Sequence, residues 1–182
     1  IGSLGRDDFG KKFISLFNEL EVNLDFLQLD SYSSTRVVNV DRDQFGDRFF
    51  SGFEAKNHSY FADEVLSKNL IENQLPNLEK LFLETKYLVT GTILLSSPMS
   101  AETIFFLIEE AKKFQVKIII DLNWRAVFWD YSNFSSKISK TARVNLIKKF
   151  LTHAHVVKLA KEEASLFFEH ENPMLISQQI SE

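Results

Sequence analysis

The sequence predicts one α/β domain with a mostly parallel sheet. Short β-branched or aromatic runs alternate with helical patterns of about 10–15 residues, the rhythm of βαβ units. The length, 182 residues, suits one domain of ordinary size. The run from Lys117 to Trp129, KIIIDLNWRAVFW, sets three isoleucines before an abrupt change to Asp121, Asn123 and Arg125. This is how a buried parallel strand ends at the sheet edge where open α/β proteins bind ligands.

The elements follow in order. Gly2-Ser-Leu-Gly5-Arg-Asp-Asp-Phe-Gly10 reads as a turn feeding a helix. Its glycines sit at positive φ in that reading, and Asp7 or Asp8 caps the helix. Phe9, Phe13, Leu16, Phe17 and Leu20 then recur at helical spacing. Residues 22–29 read as extended. Thr35 to Val40 and Arg48 to Phe53 are β-rich, and the DRDQFGD link makes them a hairpin. Helical patterns follow from Ser59 and from Leu75 to Glu84. Lys86 to Thr90 is a short buried strand stopping at Gly91. Ser100 caps a helix to Phe114 with Ile104, Leu107, Ile108 and Ala111 on one face. After the Lys117 strand come a helix near 139–151, a strand from His155 to Leu159 and a helix holding Glu162, Glu163, Leu166 and Phe167. The last helix has Pro173 in its first turn and Asn172 as cap. The chain lacks an initiator Met and stops where such a fold would start another strand, so sequence is expected on both sides.

Composition narrows the function. The chain is 45% hydrophobic and 25% charged, which is globular. Its wholly apolar stretches fall far short of the roughly 20 residues of a membrane helix, and it opens without the pattern of a signal peptide. A net charge of -4 argues against nucleic-acid binding. With no cysteine there is neither a disulfide framework nor a thiolate zinc site, as suits a reducing compartment. Most of the 18 Phe rings are expected in the core.

The functional candidates follow from spacing. If the extended conformation continues past Asp121, then Asp121, Asn123 and Arg125 share one face. Either they contact a polyhydroxylated or phosphorylated ligand, or they cap the following loop and pair with one another. The Arg125 fork suits a phosphate or carboxylate. Trp124, Phe128 and Trp129 read as packing. Lys158 and Glu163 flank a strand-to-helix turn and suit phosphate and magnesium, or Glu163 is a helix-start acid favoured by the macrodipole. His153 and His155 share a period of two without an evident third ligand. No P-loop, GxGxxG, GxSxG or cysteine nucleophile is present.

Four segments in order resemble the ribokinase-like (PfkB-type) carbohydrate kinases, closest to fructokinases. Gly2-Ser-Leu-Gly5-Arg-Asp-Asp-Phe-Gly10 resembles the early G-x-x-G-x-D-x-x-G turn. Thr35 and the strands up to Arg48 resemble the lid region. Asp121-Leu-Asn123-Trp-Arg125 with Trp129 resembles D-x-N-x-R-x-x-x-W, and Val157-Lys158-Leu-Ala160-Lys-Glu-Glu163 resembles K-x-N-x-x-E. The implied fold is a three-layer sandwich with a mostly parallel central sheet and a small β-hairpin lid, cut at both ends. The implied domain covers 1–182, with 35–56 as the inserted lid.

The resemblance implies ATP-dependent phosphorylation of a sugar hydroxyl with Mg2+, in the cytoplasm or a plastid. Phe53, Asn123 and Arg125 would lie at the substrate. Asn123, Arg125 and Lys158 would face the phosphates, and Glu163 would organise Mg2+ indirectly. The lid implies a homodimer. No general base is expected within this chain, because the family's Gly-Ala-Gly-Asp turn would follow Glu182; the chain alone should be inactive. Two departures stand out: Ala160 replaces the family's Asn or hydroxyl residue, and Ser51-Gly-Phe-Glu54 lacks the substrate-reading Arg of many relatives. They leave as alternatives a non-catalytic binding or regulatory relative, or a kinase for a keto-sugar acid or nucleoside.

Overall fold

Strand β6 (Lys117–Asp121) is the centre of a three-stranded parallel sheet, between β5 (Tyr87–Gly91) and β7 (Val156–Lys158). The protein is described by a computed structural model covering residues 1–54, 60–130, 138–168 and 170–181. Gly91 pairs in register with Asp121, and Asp121 with Lys158, so all three strands end together. A second parallel pair joins β1 (Gly2–Gly5) to β2 (Leu27–Asp30). An antiparallel hairpin joins β3 (Val38–Arg42) to β4 (Arg48–Phe53).

Burial explains this order. Ile118 and Ile120 are fully buried on β6. They meet the apolar face of α4 (Pro98–Lys113), where Ile104, Leu107, Ile108 and Ala111 are buried as the sequence predicts. Each buried Ile or Leu contributes about 1.5–3 kcal/mol. Helices α2 (Lys68–Glu72), α3 (Leu75–Glu84), α6 (Lys140–Leu151), α7 (Lys161–Phe168) and α8 (Pro173–Ser181) add Ile71, Leu78, Phe82, Ile147, Phe150, Phe167 and Ile176 to the same core. Asn172 Oδ1 accepts from the Met174 amide at 2.9 Å, the predicted start of α8.

Several expectations need correction. Gly2–Gly5 is a strand, not a turn, and the positive-φ glycines are Gly46 and Gly52, both in the hairpin. Gly5 and Gly10 are required for close approach instead: a Cβ on Gly10 would lie 2.0 Å from the Gly5 carbonyl oxygen, where α1 (Asp8–Glu19) meets β1. The stripe on α1 is not core, since Phe13, Leu16 and Leu20 are exposed. Phe45 and Phe49 are exposed too, so the rings are shared between core and surface. Tyr87 and Val89 make β5 an exposed edge strand rather than a buried one. Helix α4 starts at Pro98 after Ser97; Ser100 lies inside it and donates to the Asp63 carbonyl. Residues 62–84 form a 3₁₀ turn, Ala62–Val65, and then two helices. The predicted helical start at Ser59 and the last lid residues, 55–56, lie outside the described residues.

Of the two residues the sequence offers as cap for α1, Asp7 and Asp8, the structure uses Asp7. Its Oδ1 accepts from the Gly10 amide at 2.8 Å and its Oδ2 from the Thr35 amide at 2.7 Å. Thr35 Oγ1 in turn accepts from the Gly5 amide at 3.0 Å, so β1, α1 and the base of the hairpin are fixed together. Burial tends to raise the Asp7 pKa, but the amides of Gly10 and Thr35 outweigh it and hold the carboxyl below its ordinary value. A carboxyl depressed in the folded state stabilises fully above its unfolded pKa of about 3.9 and loses that contribution as pH falls through the lower folded value. Replacing Asp7 with Ala should cost about 1–2 kcal/mol at neutral pH. In urea titrations the gap to wild type should narrow below about pH 4; a gap independent of pH would show that the charge is not what the cap uses.

Candidate functional site

At the carboxyl ends of β6 and β7, Asp121 pairs with Lys158 and Arg125 approaches Glu163, but the chain does not simply continue the strand. The β6 ladder runs one residue further, with the Leu122 amide donating to the Lys158 carbonyl at 2.8 Å. Leu122 is fully buried, and its carbonyl accepts from Thr92 Oγ1 at 2.6 Å. Asn123 then takes φ 39°, in the left-handed region that Asn tolerates better than most residues. The chain therefore turns, and Asp121, Asn123 and Arg125 do not form one extended face. Asn123 is exposed, and Asp121 pairs with Lys158 at 2.5 Å.

Glu163 determines where the turn goes. Its side chain is 8% exposed, yet both oxygens are used. Oε1 accepts from the Trp124 amide at 2.6 Å and Oε2 from the Ala160 amide at 2.7 Å. The second bond is half of a capping box, in which a carboxylate three residues into a helix reaches back to the preceding backbone. The other half, an acceptor for the Glu163 amide, is one the Ala160 methyl cannot supply. Arg125 Nη1 lies 3.7 Å from Glu163 Oε1 and donates to the Trp124 carbonyl at 2.6 Å. Trp124 stacks with Trp129 and meets Phe167 edge-on, so these rings are packing, as predicted. Phe128 lies on α5 (Ala126–Asp130), a helix the sequence reading missed, and turns its ring toward the hairpin.

The hairpin forms one wall. Phe50 lies 5.6 Å from the Arg125 guanidinium carbon and 6.2 Å from the Phe128 ring. Phe53 packs on Phe128 at 5.2 Å and on Phe61 at 5.5 Å. These rings enclose Arg36, which the sequence reading missed. Its guanidinium carbon sits 4.9, 4.2 and 5.5 Å from the rings of Phe53, Phe61 and Phe128. Arg36 Nε and Nη2 hold Asp63 at 3.1 and 2.9 Å. An arginine at the start of the hairpin, upstream of an Asp-Glu pair, is the sequence signal that was available.

The remaining candidates resolve simply. His155 Nδ1 accepts from the Ile118 amide at 3.0 Å. His153 lies 2.7 Å from Lys112; burial and the Lys112 charge push its pKa below the ordinary value. Among the described residues no three His, Asp or Glu side chains gather as a metal site. A cavity of about 810 Å³ lies against the open side of β7 and is lined by Lys158, Lys161, Glu171 and α8. A smaller one of about 270 Å³ lies under the hairpin base, between Asp7, Asp8, Thr35 and Glu54.

Comparison with known proteins gives a consistent picture. The family model described as pfkB family carbohydrate kinase matches residues 1–182. The chain is 26% identical over 163 residues to a fructokinase of Salmonella typhimurium, covering 90% of this chain and 47% of that protein. It thus spans about half the length of this curated relative. The crystal structure of a fructokinase with bound ATP from Xylella fastidiosa superposes with a TM-score of 0.78 at 23% identity, covering 99% of this chain and 50% of that one. The fructose, ADP and calcium ion bound form of fructokinase from Vibrio cholerae O395 gives 0.68 at 19% identity, covering 100% and 52%. These structures share the ribokinase-like mixed α/β fold with its parallel sheet.

The double bond from Glu163 can be tested directly. Glu163→Ala leaves the Trp124 and Ala160 amides without acceptors and should cost about 2–5 kcal/mol of unfolding free energy in urea. Glu163→Gln, which keeps one acceptor oxygen, should cost less than half of that. A loss under about 0.5 kcal/mol, the range of ordinary surface substitutions, would show that the two loops hold their shape without it.

Proposed function

Because the chain belongs to the pfkB family of carbohydrate kinases, we propose that the whole protein phosphorylates a sugar hydroxyl with ATP and a divalent cation, fructose being the first substrate to try. One observation carries the reading: Arg125, Lys158 and the ring wall of the hairpin converge at the carboxyl ends of β6 and β7. Phosphoryl transfer depends mainly on positioning and charge stabilisation, and this corner offers two cations beside an apolar cover. Asn123 and Arg125 face the sugar and the transferred phosphate, Lys158 faces the nucleotide phosphates, and Phe53 with Phe50 covers the sugar. Residues 35–56 act as the lid.

Mg2+ fits in one limited sense. Both Glu163 oxygens are engaged by backbone amides, so Glu163 acts through the loops it holds and is not a ligand. The ion supplies charge neutralisation between phosphates and rests largely on those phosphates and water. We assign no general base among these residues, and the 182-residue chain by itself is expected to be inactive.

A second reading is a non-catalytic sugar-binding relative. It is favoured by Ala160, which offers phosphate no side-chain donor, and by Arg125, which donates to its own chain. A keto-sugar acid or nucleoside remains the alternative acceptor. A net charge of -4 supports the absence of a nucleic-acid partner, and the lack of cysteine supports a reducing compartment, cytoplasm or plastid. No helix among the described residues is long and apolar enough to cross a membrane.

In a coupled assay the intact protein should phosphorylate fructose, and Arg125→Ala should lower kcat/KM by about 10²-fold. Sugar binding without turnover would establish the second reading. The apolar hairpin also predicts a homodimer through this element, since Val40, Phe45 and Phe49 are exposed on it. Light scattering at micromolar concentration should give twice the monomer mass, and Phe49→Asp should halve it; a wild-type monomer excludes the dimer.

A further inference from the structure

We propose that Arg36 and Glu64 form a subsite beneath the hairpin that reads one neutral hydroxyl of the substrate and rejects a phosphate or carboxylate at that position. The proposal rests on the sugar-kinase reading and specifies which chemical group reaches this corner.

Two unmet atoms carry it. The Arg36 side chain is 7% exposed and that of Glu64 is 2% exposed. Arg36 spends Nε and Nη2 on Asp63, while Nη1 is buried and makes no hydrogen bond among the described residues. Glu64 spends Oε2 on the Phe61 amide at 3.0 Å, while Oε1 is buried and likewise makes none among the described residues. Oε1 lies 3.7 Å from Arg36 Nη2, so the free donor and the free acceptor are on neighbouring groups. Buried polar groups are nearly always satisfied, and each exception calls for a partner. A hydroxyl is the smallest group that meets both needs: its oxygen accepts from Nη1 and its proton is donated to Oε1.

Charge fixes the class of ligand. One guanidinium faces two carboxylates, Asp63 and Glu64, so the corner carries an excess negative charge and an anion would be repelled. The pair is also held rigidly. Ser97 Oγ and Ser100 Oγ donate at 2.5 Å to the carbonyls of Glu64 and Asp63, and the Ala62 amide donates to the Ser34 carbonyl at 2.9 Å. The cover is shared with the mouth. Phe53 and Phe128 stack on Arg36, and Phe50, on the same strand as Phe53, packs on Phe128 and lies over Arg125.

The test uses the intact protein with D-fructose and its single-deoxy analogues, reading KM and kcat separately, or Kd by calorimetry if sugar binds without turnover. One deoxy analogue should bind at least about tenfold more weakly than fructose, because its loss strands both buried groups. In Glu64→Gln, which turns the free acceptor into a donor, that penalty should shrink to about threefold or less. Arg36→Met should give the same shrinkage if it folds; thermal unfolding checks both variants, and Glu64→Gln suffices alone. If sugars bind but every deoxy penalty is the same in wild type and Glu64→Gln, the subsite is overturned and the kinase reading stands. If the intact protein neither binds nor phosphorylates any sugar, both fall together.

Discussion

The candidate site depends on one buried carboxylate. Glu163 joins the chain leaving β6 to the chain leaving β7 through the amides of Trp124 and Ala160. A buried carboxylate is costly unless its lone pairs are met, and here two amides meet them. Without that tie, nothing in the β6–β7 ladder would dictate where residues 123–125 go, since the last ladder bond is at Leu122. With it, the left-handed turn at Asn123 is fixed, the Trp124 ring is directed into the core against Trp129 and Phe167, and the Arg125 guanidinium emerges under Phe50.

The hairpin is tied in separately, at its base. Thr35 bonds Asp7 and Gly5, and Arg36, one residue on, bonds Asp63. Beyond these contacts the hairpin has few buried residues, and most of β4 is exposed apart from Gly52 and Phe53. An isolated two-stranded hairpin is marginal in water. Its order comes from its base, from its loop, where Asp43 Oδ1 accepts from the amides of Phe45 and Asp47, and from the rings packed on Arg36. The hairpin is thus anchored at one end and exposed at the other.

What the sequence showed, and what it did not, follows physical lines. The isoleucines of β6, the apolar face of α4 and the caps Asp7 and Asn172 were legible because each depends on local periodicity or chemistry. The exposure of Tyr87, Val89 and Phe13 was not, because periodicity states that a face is apolar without stating what covers it. The expected shared face of Asp121, Asn123 and Arg125 did not form. One positive φ at Asn123 broke the period, and the bond that stabilises it comes from a residue 39 positions away from Trp124. Arg36 was missed for the same reason: its partners, Asp63, Phe61 and Phe128, are remote in sequence.

Arg36, Arg125 and Lys158 differ in how easily they release their partners. Lys158 and Asp121 are a solvated pair, with Lys158 75% exposed. Such pairs are worth at most about 1 kcal/mol, so a phosphate can exchange for the carboxylate with little loss. Arg125 is 3.7 Å from Glu163, too far for a hydrogen bond, and Glu163 is already satisfied by amides. Arg125 can therefore turn to an anion without stranding a buried charge. Arg36 cannot: releasing Asp63 would leave a guanidinium buried among three rings, a loss of several kcal/mol. Two cations can thus exchange their partners at small cost, and the third is locked to Asp63.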